Sequence, residues 1–494
     1  MQILPIEDFR NNFTDTGFKK LSTSLGRIEK GSNLVLITPQ AKRVSPIEIL
    51  QAWNKVFDAN IELINDDLLE LEMSNKAKYG PRSIALPWAD IRQSVVDSFN
   101  IPSTDCGHLS TKPPSSINIG TLRPISLNNS AKLTKSNTQA GAPTLDKKGK
   151  VREYTLANWN SLYNKNLIMV PAIRTQEQEK TRLVNIVDYS TIMQENRFFP
   201  PLFERLRGEF CFSGFNGPSA VDSAMTHLIR EAVSMGYLCV SGDIEAFDNS
   251  VGRDLQSNAF KEVELNFQPS YASEIDEIAN RFLTTPLATP DGVYVGEHGI
   301  PSGSNFTSII GSLVNRQVSQ HPPELSQYMG DDFALVAKTS KEIFEKYRSC
   351  GLKLNEAKTL VKPYSFVYLQ RLHHVDYVVD GEYKGIYPIY RALLRLVYPE
   401  RFSDFNDYDL LGRDYFAIRS LSILENCKFH PLFEEFVKFW MRFEKYKVPS
   451  NSSIRKFVKM NEEKIGSLGT LNQYGDKIGG IRDFASYRLV IQLS

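Results

Sequence analysis

The chain has 494 residues, 41% of them hydrophobic, 23% charged and 11% aromatic, with a formal net charge of +1. Such a composition excludes an intrinsically disordered chain and allows a core large enough for several sub-domains. With charge so nearly balanced, a nucleic-acid partner would require the basic residues to be gathered in a channel and offset by acids elsewhere. The five cysteines, at 106, 211, 239, 350 and 427, are scattered and form no Cys-x-x-Cys pair, as expected of free thiols in a reducing compartment. Cys106 and His108 are neighbours, but no second pair completes a zinc site. The opening MQILPIEDFRNNF has no basic segment followed by an apolar one, and no run approaches a membrane span, so neither secretion nor a transmembrane segment is expected.

Residues 1 to about 80 read as a mainly helical extension that serves as scaffold. Ser45-Pro46 followed by Glu48 is a cap and first-turn pattern, and Ile49, Leu50, Trp53, Val56 and Phe57 repeat at helical spacing. From about 100 to 155 the sequence turns polar and rich in Ser, Thr, Pro and Gly, which predicts loops. Lys132, Lys135, Lys147, Lys148, Lys150 and Arg152 collect there, either as a solvated face or as a groove that follows a nucleic-acid backbone. In PAIRTQEQEKTRLVN, 171 to 185, Lys180 and Arg182 are two apart and would point the same way from a strand, sharing one anionic ligand with Arg174 nearby.

The apolar run Tyr237-Leu238-Cys239-Val240 predicts a short buried strand ending at Ser241-Gly242, with Asp243 at its carboxyl end and Asp248 five residues on. Two acids so placed suit a hard divalent cation and a hydroxyl-bearing substrate, although the same spacing also occurs in solvated loops. Residues 252 to 295 carry no readable pattern. In GIPSGSNFTSIIGSLVNRQ, 299 to 317, a glycine-rich loop opens an amphipathic helix with Phe306, Ile309, Ile310, Leu313 and Val314 on one face and Thr307, Gly311 and Asn315 on another stripe. QYMGDDFALVAK, 327 to 338, predicts a hairpin with Asp331 and Asp332 at its tip. Thr339 and Glu342 then predict a capping box, GLKLNEAKT puts Lys358 on a loop, and SFVYLQRLHHVDY predicts another hairpin arm. From about 386 onward the pattern is helical, with Phe436, Phe439 and Trp440 among the apolar residues.

Each signal alone is common, but their order is specific. Lys180-Thr-Arg182, the Asp243/Asp248 pair, Ser302-Gly303 with Thr307, Gly330-Asp331-Asp332 and Lys358 follow one another in a way that closely resembles the motifs of viral RNA-dependent RNA polymerases. The wording is similar to that of the picobirnavirus and partitivirus groups, over roughly residues 130 to 385. The resemblance implies an α+β right-hand polymerase with an antiparallel palm sheet, fingers and a helical thumb. It divides the chain into an amino-terminal helical extension over 1–80, fingers with part of the palm over 81–235, palm over 236–251, a fingers insertion over 252–295, palm over 296–385, and thumb with carboxyl-terminal tail over 386–494.

The implied activity is RNA synthesis from ribonucleoside triphosphates on an RNA template, by two-metal phosphoryl transfer with Mg²⁺ or Mn²⁺. Asp243, Asp331 and Asp332 would be metal ligands, and Lys358 would protonate the departing pyrophosphate. Arg174, Lys180 and Arg182 would grip the triphosphate, and Asp248, Ser302, Gly303 and Thr307 would line the nucleotide site. Asp248 would read the ribose 2′-hydroxyl, where reverse transcriptases tend to carry an aromatic gate. Thr138-Gln-Ala-Gly141-Ala-Pro143 resembles the motif where template enters. Implied partners are RNA template and product, nucleotides and a capsid protein, with action in the host cytoplasm or inside the virus particle. A reverse transcriptase and a polymerase-like protein that binds RNA without catalysis are the alternatives; Gly330, Asp248 and the three intact acids weigh against them. One departure stands out: picornavirus-type polymerases carry asparagine four residues after the helix threonine, where this chain has Gly311. Asn315 lies about 12 Å beyond Thr307 at ~1.5 Å per residue and is left outside the expected site.

Overall fold

The structure, a computed structural model, describes residues 1–113, 119–355, 359–402, 409–465 and 480–493. At its centre is a four-stranded antiparallel sheet in the order Ser326–Met329, Asp332–Ala337, Leu238–Gly242, Leu360–Lys362. One face sends Val240, Phe333 and Leu335 into a core shared with helices Arg253–Asn266 and Thr307–Ser319. The other sends Cys239, Ala334 and Val336 against helix Pro218–Met235. With both faces covered, the two central strands read as continuous apolar runs rather than alternating ones. The hairpin between the first two strands turns on Gly330-Asp331, and Gly330 takes φ +63°, which glycine adopts at little cost.

The basic segment folds as a second antiparallel hairpin, Val170–Thr175 against Thr181–Ile186, with Arg174 directly opposite Arg182. Residues 252–295 contain two helices, Arg253–Asn266 and Ala272–Thr284, and then a small sheet in which Gly292–Val295 is flanked by Leu287–Thr289 and Gln2–Leu4. The chain therefore opens with a three-residue strand, ahead of the helices that make residues 1–80 mainly helical, as expected. Pro5 cannot donate within a helix, and Gln2–Leu4 finds its hydrogen-bond partners in distant sequence. Helices Asp15–Lys30, Pro46–Asp58 and Asp66–Lys76 follow, and the Ser45/Glu48 capping box is formed in both directions.

The polar stretch 100–155 is also less loop-like than its composition suggests, because helices Leu127–Lys132 and Lys148–Ala157 run through it. Lys132, Lys135, Lys147 and Lys150 are exposed. Lys148 is not part of that solvated set: its ammonium lies 5.7 Å from the Tyr189 ring, and burial lowers its pKa to about 8. Arg152 donates to the Thr134 carbonyl at 3.0 Å and so braces the same helix.

The carboxyl-terminal part is helical, with Ile389–Val397, Gly412–Glu425, Phe433–Trp440, Asn451–Ile465 and Ala485–Gln492. Its core takes in Ile49, Trp53 and Phe57 from the amino-terminal extension. The final helix docks on Gly412–Glu425, where Ser486 donates its N–H to Glu425 at 3.0 Å and its hydroxyl to the Leu421 carbonyl at 2.9 Å. The predicted Thr339/Glu342 capping box is not formed. Helix Lys341–Ser349 is preceded by Ser340 at its N-cap with helical dihedrals, so the Thr339 spacing falls one residue out of register. Ser365–Tyr368 and Arg371–His374 do form the expected hairpin. All five cysteines are buried and unpaired, and among the described residues no helix is long and apolar enough to cross a membrane.

Candidate active site

Strand register gathers the acids. Gly242 pairs with Phe333, so Asp243, one residue beyond, comes level with Asp332 at the same sheet end, beside the turn that carries Asp331. The Asp243 carbonyl accepts the Asn355 N–H at 3.1 Å, and Ile244 bridges to Leu354, which ties the chain down past the strand. Ala246 then takes the left-handed φ of +46° and the short helix Phe247–Ser250 begins. This tight reversal brings Asp248 back toward the acids. Burial, and then the Asp331 carboxylate, push the Asp248 carboxyl up to about 6, while Arg182 pulls it down.

Carboxylates that repel one another beside a guanidinium form a hard, oxygen-only donor set, which fits Mg²⁺ or Mn²⁺. Among the described residues no three His, Cys, Asp or Glu side chains cluster tightly enough to cage an ion unaided. Mg²⁺ commonly uses one or two carboxylates with waters and substrate phosphates, so the set can serve.

The glycine-rich loop lies between Asp248 and the basic hairpin. Ile300 N–H donates to the Asp248 carbonyl at 2.7 Å, and a Cβ at Gly299 would stand 2.1 Å from that same oxygen. On the other side, Asn185 N–H donates to Ser302 Oγ at 3.1 Å, and a Cβ at Gly303 would stand 1.8 Å from the Asn185 carbonyl. Neither glycine can be replaced without moving backbone. Thr307 Oγ1 donates to the Pro301 and Ser304 carbonyls at 2.7 and 2.9 Å, so its single O–H braces the loop and only its lone pairs can face a ligand. Glu195, buried on helix Tyr189–Leu206, latches the loop from below by accepting from Ser304 Oγ and Asn305 N–H, each at 2.8 Å. Burial raises its carboxyl to about 7 despite those bonds.

Helix Thr307–Ser319 is the gauge between the two acidic segments. At Gly311 an added Cβ would meet the Phe247 ring at 3.1 Å and Gly330 Cα at 3.4 Å, so the neighbours of Asp248 and Asp331 both pack on this one glycine. The position that carries asparagine in picornavirus-type polymerases is closed by that contact. Asn315 has a different use: its Nδ2 donates to the Gly330 carbonyl at 2.9 Å.

Asp243, Asp248, Asp331, Asp332, Arg182, Ser302, Gly303 and Thr307 are thus brought together around this end of the sheet. Arg174 stands opposite Arg182 on the hairpin, with its guanidinium 3.5 Å from Glu400. Lys180 is exposed where that hairpin turns, and its carbonyl accepts the Gln176 N–H at 2.9 Å. Lys358 lies outside the described residues. At Gly141, with φ +70°, a Cβ would stand 3.2 Å from the Asp188 backbone, so the Thr138–Pro143 stretch passes flush against the start of the Glu195 helix. Sequence reasoning missed Glu195, Ser312 and Asn315. Asn315 was visible as part of the Thr307/Gly311 stripe, and Glu195 as an acid in the helical run YSTIMQENRFF, but neither pattern names a partner.

Residues 128–373 match the family described as viral RNA-dependent RNA polymerase. The chain is 28% identical over 463 residues to a potential RNA-dependent RNA polymerase of human picobirnavirus (strain Human/Thailand/Hy005102/-), which covers 86% of this chain and 85% of that protein. It is 31% identical over 173 residues to an RNA-directed RNA polymerase of Cryptosporidium parvum virus 1 (strain KSU-1), covering 31% and 30%. Among solved structures, the crystal structure of the RNA-dependent RNA polymerase of a human picobirnavirus aligns over 100% of both chains with a TM-score of 0.79 and 22% identity. An insertion-loop deletion mutant of a human picobirnavirus polymerase aligns as completely, at 0.78 and 23%. The fold is that of a right-hand polymerase.

Proposed function

Because the chain belongs to the viral RNA-dependent RNA polymerase family, we propose that it extends RNA on an RNA template by in-line phosphoryl transfer at the end of the central sheet. The observation that carries this reading is the register that sets Asp243 level with Asp332, next to Asp331, with Asp248 and Arg182 facing them. Mg²⁺ or Mn²⁺, held through Asp243, Asp331 and Asp332, would supply activation of the 3′-hydroxyl and neutralisation of charge on the leaving pyrophosphate.

The protein's own side chains do the rest. Arg174 and Arg182 place two like charges directly opposite each other on a hairpin; Glu400, 3.5 Å from Arg174, offsets one of them, and an anion held between the two would offset both. With Lys180 at the adjoining turn they form the triphosphate grip. Asp248, ionised at neutral pH, accepts a hydrogen bond from a 2′-hydroxyl. Ser302, whose oxygen already accepts from Asn185, offers its O–H, and Gly303 allows the backbone close approach. Lys358 is assigned the proton given to pyrophosphate.

In this reading residues 81–235 and 252–295 form the fingers, 236–251 and 296–385 the palm, and 386–494 the thumb, with 1–80 bridging them. The biological setting is replication and transcription of a double-stranded RNA virus genome, in the host cytoplasm or the particle, with a capsid protein as a further partner. A heteropolymeric RNA template with all four ribonucleotides and Mg²⁺ should yield template-length RNA. Equal synthesis from deoxyribonucleotides would point instead to a reverse transcriptase.

A further inference from the structure

The turn that carries Asp331 is held by a hydrogen-bond chain whose every member has one possible direction. Ser312 donates its hydroxyl to the Ser308 carbonyl at 2.7 Å, so it can only accept from Gly330 N–H, at 2.9 Å. Tyr347 donates its hydroxyl to Asn315 Oδ1, which turns the amide nitrogen toward the Gly330 carbonyl at 2.9 Å and the Asp332 carbonyl at 3.4 Å. Both backbone polar groups of Gly330 are therefore tied to one helix. Ser312, Asn315 and Tyr347 are all essentially buried, and Tyr347 also stacks on Phe333, the residue after Asp332, with ring centroids 5.4 Å apart. The three side chains that make these bonds are shielded from solvent, and Ser312 and Asn315 hold the turn from the same helix on which Gly311 packs against Gly330.

We propose that Asn315, fixed by Tyr347 and assisted by Ser312, is a positioning residue that sets Gly330-Asp331 relative to Asp243 and thereby tunes the divalent-ion response of the site. Asn315 touches neither substrate nor ion; it acts through the backbone of the turn. The inference depends on Asp331 being a metal ligand, as in the proposed function. Mg²⁺ demands near-ideal octahedral geometry, so a turn free to shift should penalise Mg²⁺ most. Supporting residues one layer behind metal ligands typically change metal affinity or activity by about 10–100-fold.

The test uses full-length Tyr347→Phe and Ser312→Ala, which remove one hydroxyl each, alongside Asn315→Ala. Tyr347→Phe and Ser312→Ala keep the inference open to refutation if Asn315→Ala does not fold. In metal-free protein, amide exchange in the peptide covering Gly330 should quicken by about tenfold or more. In RNA synthesis, half-saturation by Mg²⁺ should rise about tenfold and that by Mn²⁺ distinctly less, with the KM for nucleotide at saturating metal little changed. Unchanged Gly330 exchange, or quickened exchange with wild-type Mg²⁺ dependence, overturns the positioning role. Asp331→Ala run in parallel separates the two levels: if it is inactive while the other variants respond to metal as wild type does, only the positioning inference fails. If Asp331→Ala still makes RNA, the metal reading and the inference fall together.

Discussion

Asp248 sits where a negative neighbour, Asp331, and a positive one, Arg182, act on one partly buried carboxyl. A carboxylate there can accept a hydrogen bond from a sugar hydroxyl, and deoxyribonucleotides offer none. A hydrogen bond to a charged group is worth about 1.5–3 kcal/mol, so Asp248→Ala should reduce ribo- over deoxyribonucleotide preference by about 10–100-fold in single-nucleotide kcat/KM. Unaltered discrimination would remove Asp248 from sugar reading. Glu195 makes a different residue-scale prediction. Burial raises its carboxyl to about 7, above the ordinary glutamate range, so its protonated form is favoured in the folded state. Its contribution to stability is full below the unfolded pKa and is lost as pH rises through the folded one. Glu195→Gln should therefore lose less Tm than wild type between roughly pH 5 and pH 8. Parallel Tm profiles would show that Glu195 titrates normally.

Among the elements, the loop 299–306 depends most on exact fit, because it is pressed between the Asp248 carbonyl and the basic hairpin. In Gly303→Ala the new Cβ would have to clear the Asn185 carbonyl, now 1.8 Å from that position. The loop must lift, and Ser302 loses Asn185. We expect nucleotide incorporation to fall by about 10²-fold, the scale of a 1 Å misplacement, with far-UV circular dichroism close to wild type and Tm lowered by the strain of the displaced loop. Activity near wild type would mean that the loop does not position substrate. The glycines, the strand end at Gly242 and the Asp331 hairpin were all legible in the sequence, because each rests on local chemistry: backbone freedom, an apolar run, a two-residue turn. The contacts that give them meaning were not. Nothing in the spacing of Gly303 and Asn185 says that they touch, and the same limit hid Glu195 behind the loop and Asn315 behind the turn. The patternless stretch 252–295 failed for a related reason: Arg253–Asn266 buries Gln256, Asn258, Glu262 and Asn266 among its apolar residues, which blurs the helical stripe.

At the scale of the molecule, the amino-terminal extension joins parts that the sequence keeps far apart. Gln2–Leu4 extends the small sheet of residues 287–295, and Trp53 lies in the carboxyl-terminal helical core, with ring centroids 5.0 Å from Phe436 and 5.2 Å from Phe439. Glu72 adds the Ile389 and Tyr390 N–H groups at 2.6 and 3.0 Å, satisfying donors at the start of a helix. A second bridge runs from the basic hairpin, where Glu177 accepts from Arg82 at 3.3 Å and Arg391 at 3.2 Å. The first residues thus tie the small sheet to the carboxyl-terminal helices, a scaffold role that composition could suggest but whose targets it could not name. Trp53→Ala should cost about 3–5 kcal/mol by loss of buried ring area and the cavity left behind, read as a lowered denaturation midpoint. A change under about 1 kcal/mol would mean that the extension is not part of the core.

The proposed activity depends on the acids at the sheet end, and one comparison tests that dependence most directly. Wild type and Asp331→Ala, both shown to be folded, would be given the same heteropolymeric RNA, four ribonucleotides and Mg²⁺. We predict template-length RNA from wild type alone. Equal product from Asp331→Ala would contradict the assignment of the active site, and no product from either, with RNA binding intact, would contradict a polymerase that acts unaided.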